Sequence, residues 1–181
     1  MSAETKAGFG MGGTIGWTVG AAVSGVVAAA VFGATMWLFE PDVVAAAIPA
    51  IYGFDPSTAF GMTIHLFHGA VLGLLFGLFV TRPVVLGVLR TNVETEAISE
   101  LGLALRVVTA GFVFGVAIWA ILPLIVLPMW VEVAGAADAA MFPAFAVESM
   151  LGHMVFGLVL GLVFAVVVDL YDRPAVNVLE E

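Results

Sequence analysis

His65 and His68 open the apolar run IHLFHGAVLGLLFGLF, and His153 opens the run HMVFGLVLGLVF; these are the chain's three histidines. An imidazole can ligate haem iron or another metal, carry a proton, or hydrogen-bond across a helix interface. His65 and His68 are i,i+3 neighbours, close enough on a helix to act together. His65 stands one turn before Gly69, and His153 one turn before Gly157. Each histidine therefore continues a stripe of glycines and should face protein.

Placing these side chains depends on the elements that carry them. The chain has 181 residues, 62% hydrophobic and 10% charged, with a mean hydropathy of +1.18. Soluble domains carry about 25% charged residues, so this composition cannot cover a water-facing surface. Ala7–Phe39, Pro56–Thr81, Val107–Val131 and Ser149–Val168 contain no charged residue. Each run reaches the roughly 20 residues that a spanning helix needs. The expected fold is an all-α integral membrane protein of four transmembrane helices, near 13–39, 57–81, 103–130 and 146–169, in a single membrane domain over 1–181. The apolar pieces 43–54 and 139–147 are too short to span and are expected as loop at the outer surface. MSAETKAGFGMGG lacks the form of a cleaved signal, because the apolar stretch that follows its lysine is too long.

Lys6, Arg82, Arg90, Arg106 and Arg173 fall in the two terminal segments or between the second and third spans, whereas the other two loops carry acids and no base. By the positive-inside rule, the N- and C-termini are expected in the cytoplasm of a multi-pass cell-membrane protein. A net charge of −9 argues against nucleic acid or anionic lipid as a partner. Absence of cysteine excludes disulfides, iron–sulfur clusters and cysteine nucleophiles, and no P-loop, dinucleotide-binding, HExxH or nucleophilic-serine motif occurs.

VFGATMWLFEP (31–41) and VFGVAIWAILP (113–123) share V-F-G-x-x-x-W-x-x-x-P, and VLGLLFGLF (71–79) matches VFGLVLGLVF (155–164) in its glycines. The expectation is a duplicated two-helix hairpin, with repeats near 13–81 and 103–169 related by a pseudo-two-fold along the membrane normal. Gly69, Gly73 and Gly77 form one stripe, Gly157 and Gly161 another, Gly111 and Gly115 a third, and Gly12, Gly16 and Gly20 lead into the first span. Such stripes let helix backbones approach in lipid, or leave room for a flat cofactor. Pro41 should stop the first helix, and Pro123 and Pro128 should interrupt the third span.

Within this frame His68 and His153 lie at nearly equal depth on the second and fourth spans, with His65 one turn nearer the outer face. That arrangement could place a b-type haem between those spans, with His68 and His153 as axial ligands and His65 as the alternative. The protein would then be a membrane component of electron transfer, exchanging electrons with a quinone or an extracytoplasmic carrier. The same residues suit a metal site of His68 and His153, with Glu148 or Asp55 completing it and Met62, Met150 and Met154 nearby for a soft ion. Two other classes compete: a non-catalytic structural or assembly subunit whose histidines only fasten helices, and a small cation or solute transporter. The scarcity of polar residues counts against the transporter. Small size and apolar helices imply a homo-oligomer or a larger membrane complex. With its glycine-rich spans and acidic outer loops, the whole chain resembles small four-span membrane proteins of haloarchaea, halophilic archaea whose proteins favour acid over lysine.

Overall fold

The structure, a computed structural model, describes residues 10–90, 96–134 and 147–171. In chain order it forms α1 (Gly13–Phe39), a π-helical turn (Val43–Ala47) running into the short α2 (Ile48–Ala50), α3 (Thr58–Val80), α4 (Pro83–Arg90), α5 (Glu96–Ile121), a second π-helical turn (Leu122–Val126), α6 (Leu127–Ala134) and α7 (Val147–Val167). Among the described residues, four segments are long and apolar enough to cross a membrane: Gly13–Phe39, Thr58–Val80, Gly102–Trp130 and Val147–Val167. These lie within a residue or two of the expected spans. The piece at 139–147 lies almost wholly outside the described residues.

Local chemistry explains the helix ends. α1 stops at Phe39 because a residue before proline is driven out of the helical region, and Glu40 has left it at φ −138° and ψ 62°. α3 begins after Ser57, whose hydroxyl accepts from the Phe60 N–H at 3.3 Å. Replacing Ser57 by alanine is expected to cost about 1 kcal/mol, read as a lower thermal midpoint in detergent. The piece at 43–50 is helical, where loop was expected. Pro49 has no N–H for the carbonyl four residues earlier, that of Ala45, which instead accepts from the Ser57 N–H at 2.7 Å. Val44 is fully buried beneath this turn, and its carbonyl oxygen lies against Gly61. In the third span Pro123 and Pro128 interrupt the α-helical ladder as expected, and the break takes the form of the π-helical turn.

Glycine contacts set the packing. Gly25 of α1 sits against Gly69 and Gly73 of α3, and a Cβ on Gly25 would collide with the Gly69 carbonyl oxygen and come within 2.8 Å of the Gly73 Cα. In the same manner Gly111 and Gly115 of α5 meet Gly157 and Gly161 of α7. α1 also packs on α7, where Phe32 lies over Gly152 and Gly20 lies against Val168. Without a hydrophobic drive between helices in lipid, such close backbone approach supplies the association. Phe76 and Phe164 meet edge to face at 5.3 Å, with Phe114 5.4 Å from Phe76. Outward-facing Val19, Phe67, Leu75, Leu105, Leu158 and Val166 are exposed, as a lipid-facing surface requires.

The first and last described residues lie at one end of the bundle, here called the arginine end. Met11 bridges Val168, with its N–H donating to the Val167 carbonyl at 2.7 Å. Arg90 donates to the Leu170 carbonyl and lies over the Tyr171 ring, and Arg106 donates to the Leu89 carbonyl at 2.9 Å. These arginines therefore engage carbonyls at or just beyond helix C-terminal ends, where a cation also complements the helix dipole.

Candidate functional site

The histidines lie at the opposite end, all three half-buried. His65 projects from α3 toward α1, where its Nε2–H donates to the Ala29 carbonyl at 3.0 Å. The acceptor is a carbonyl of another helix, so this bond fastens α3 to α1. His153, on α7, donates from Nδ1–H to the Ser149 carbonyl of its own helix at 2.8 Å. Phe32 of α1 stands between these two imidazoles. Its ring centroid lies 5.4 Å from His65 and 5.0 Å from His153, with both rings roughly edge to face. Phe32 is 7% exposed and rests on Gly152, whose missing side chain makes room for the ring.

His68 faces elsewhere. Its Nε2 shares a 2.6 Å hydrogen bond with the Tyr52 hydroxyl, and the two rings are tilted at 5.8 Å. Tyr52 also lies 6.4 Å from Trp130 of α6, whose indole N–H donates to the Ile51 carbonyl at 2.8 Å. The segment between α1 and α3 is thus tied both to α3 and to the end of the third span. Burial raises the Tyr52 hydroxyl pKa above its usual value of about 10, because a phenolate is costly away from water. The neutral hydroxyl is the form that folding favours, so its contribution is present below about pH 10 and lost as pH rises through the raised value. A Tyr171→Phe variant leaves Tyr52 as the sole tyrosine, and its absorbance at 295 nm is expected to titrate above pH 10.

The histidine brought together with His153 is His65, across Phe32, while His68 pairs with Tyr52. Ligation of a metal or haem iron by His65 through Nε2 would require its bond to Ala29 to break, and a planar macrocycle between His65 and His153 would require Phe32 to leave. Met62 is close by, its sulfur and the His65 ring both lying against Gly33. Among the described residues, no group of three or more His, Asp or Glu side chains is arranged to hold a metal ion. Glu148 and Asp55 are exposed. Trp37 is also exposed, whereas the Trp119 indole N–H is buried without an acceptor, so these two tryptophans occupy different surroundings.

Sequence reasoning did not single out Phe32 or Tyr52. The signal for Phe32 is its position beside Gly33 in the V-F-G motif, with a glycine available at 152 on another helix. Tyr52 carries no local signal, because its partner is 16 residues away.

Five hydroxyls inside the spans bond to their own helices: Thr18 to Thr14, Ser24 to Gly20, Thr35 to Phe32, Thr63 to Ala59 and Thr109 to Leu105. Such bonds satisfy a polar group without lining a path. Four apolar spans, glycine-mediated packing and internally bonded polar groups define an all-α integral membrane protein of the multi-pass class. No protein-family model matches the chain, and neither curated proteins nor solved structures give a match.

Proposed function

We propose that this membrane protein is a non-catalytic structural or assembly subunit of a membrane complex, with its termini in the cytoplasm. The observation that carries this reading is the use of the histidines. His65 joins two helices through Ala29, His68 joins a loop to α3 through Tyr52, and Phe32 fills the space between His65 and His153. Interhelical bonds of this kind in membranes contribute about 0.6 to 2 kcal/mol. Back-bonded hydroxyls count against a cation or solute conduit. The experiment is crosslinking in native membranes followed by mass determination in mild detergent. A discrete species well above the 18.8 kDa of one chain is expected, as a homo-oligomer or with other subunits. A lone monomer in both measurements overturns the reading.

The duplication is part of the same proposal, but the glycine contacts favour a register one helical turn from the sequence match, which aligns Gly73 with Gly157 and Gly77 with Gly161. Gly25 meets Gly69 and Gly73 as Gly111 meets Gly157 and Gly161. Carried along the second and fourth spans, that register pairs His65 with His153, Phe76 with Phe164 and Val80 with Val168, each pair 88 residues apart. Two fused hairpins give a rigid element with two similar faces, which suits a subunit that bridges partners.

An electron-transfer role with a b-type haem between the second and fourth spans is the second reading, favoured by the approach of His65 and His153 to one ring from different helices. Its test separates it from the first: Phe32→Gly should raise haem uptake, and His65→Ala or His153→Ala should abolish it. Under the structural reading His65→Ala only lowers thermal stability, by about 1 to 2 kcal/mol.

A further inference from the structure

Three sides of the bundle are sealed along glycine or small-residue contacts: α1 with α3, α1 with α7, and α5 with α7. The fourth side, between α3 and α5, has a different construction. No α3 glycine in the described residues has its nearest contacts on α5. Toward the arginine end the two helices meet through the rings of Phe76 and Phe114. At the histidine end they are spanned by the connecting segment: Tyr52 holds His68 of α3, and the Ile51 carbonyl holds the indole of Trp130 beyond α5. His68 and Phe76 are eight residues apart, which is about 12 Å along a helix.

We propose that Ile51 and Tyr52 form a strap that closes a lateral opening between α3 and the third span. Two hydrogen bonds and two ring contacts fasten it, in place of a packed helix interface. The π-helical turns at Val43–Ala47 and Leu122–Val126 flank the strap, one leading into the segment that carries it and one just before the helix that receives it. Such turns interrupt the regular ladder and give the chain a place to bend. Release of the strap parts the two helices at the histidine end, while the Phe76–Phe114 contact holds them at the other.

Because the chain contains no cysteine, spin labels can be placed without background. One pair goes on Phe67 of α3 and Met129 of α6, and a control pair on Leu78 and Leu105 toward the arginine end; all four residues are exposed. Distance distributions are measured in lipid nanodiscs for the parent chain and for Tyr52→Phe combined with Trp130→Phe. These substitutions remove both hydrogen bonds and keep an aromatic ring at each position. The expected result is a longer and broader Phe67–Met129 distribution with the Leu78–Leu105 distribution unchanged. Unchanged distributions at both pairs overturn the strap, and so does a change at both, which assigns these bonds to the stability of the whole bundle.

Discussion

Alanine in place of Gly25 is expected to disrupt the α1–α3 hairpin strongly. The added Cβ meets the Gly69 carbonyl oxygen and the Gly73 Cα, which are backbone atoms. A side chain could rotate aside, but a backbone contact yields only when the helices separate. Overpacking in a close-packed interior costs about 1 to 3 kcal/mol even where side chains can adjust, so the larger end is expected here. The readout is the thermal midpoint by circular dichroism in mild detergent. Ala30→Val, at an exposed position of the same helix, serves as the control and should change stability by less than about 0.5 kcal/mol. Equal behaviour of the two variants would mean that the glycine contact does not hold the hairpin.

Phe32→Ala carries the second large effect, for the opposite reason. It removes a ring that lies over Gly152 and between His65 and His153, leaving a void where α1, α3 and α7 converge. Truncating a buried phenylalanine costs about 3 to 5 kcal/mol, through lost transfer energy and the cavity left behind. Phe32→Leu fills part of that space and should lose less. Because Gly152 is shaped to the ring, Gly152→Ala should also destabilise, and combining it with Phe32→Ala should cost less than the sum of the two. Strict additivity would show that the ring and the glycine do not share one packing unit.

The spans were legible because a helix in lipid must satisfy its backbone internally and present apolar side chains outward, so charge-free length alone marks it. Their ends were legible where proline acts directly, as at Pro41. The helical course of 43–50 was not, because it depends on the Ala45 carbonyl finding the Ser57 N–H, a partner outside the segment. Glycine spacing identified contacting residues on the second, third and fourth spans, but on the first span it pointed to Gly12, Gly16 and Gly20, whereas Gly25 is the glycine that meets Gly69 and Gly73. The histidines were visible as a group, but their directions were not. His65 and His68 differ by three positions, yet one turns to α1 and the other to Tyr52. The V-F-G-x-x-x-W match set Trp37 beside Trp119, although one is exposed and the other has a buried indole N–H. Residue identity along apolar helices carries less register information than the backbone contacts at Gly25 and Gly111.

In the proposed function the imidazoles serve as internal fasteners. Its most direct test is the oxidised and dithionite-reduced visible spectrum of the protein, expressed in a haem-competent host and purified in mild detergent at high salt, with metal analysis on the same sample. Neither haem nor metal is expected in stoichiometric amount. A stoichiometric haem spectrum that disappears in His65→Ala and His153→Ala would contradict that function and establish the electron-transfer reading instead.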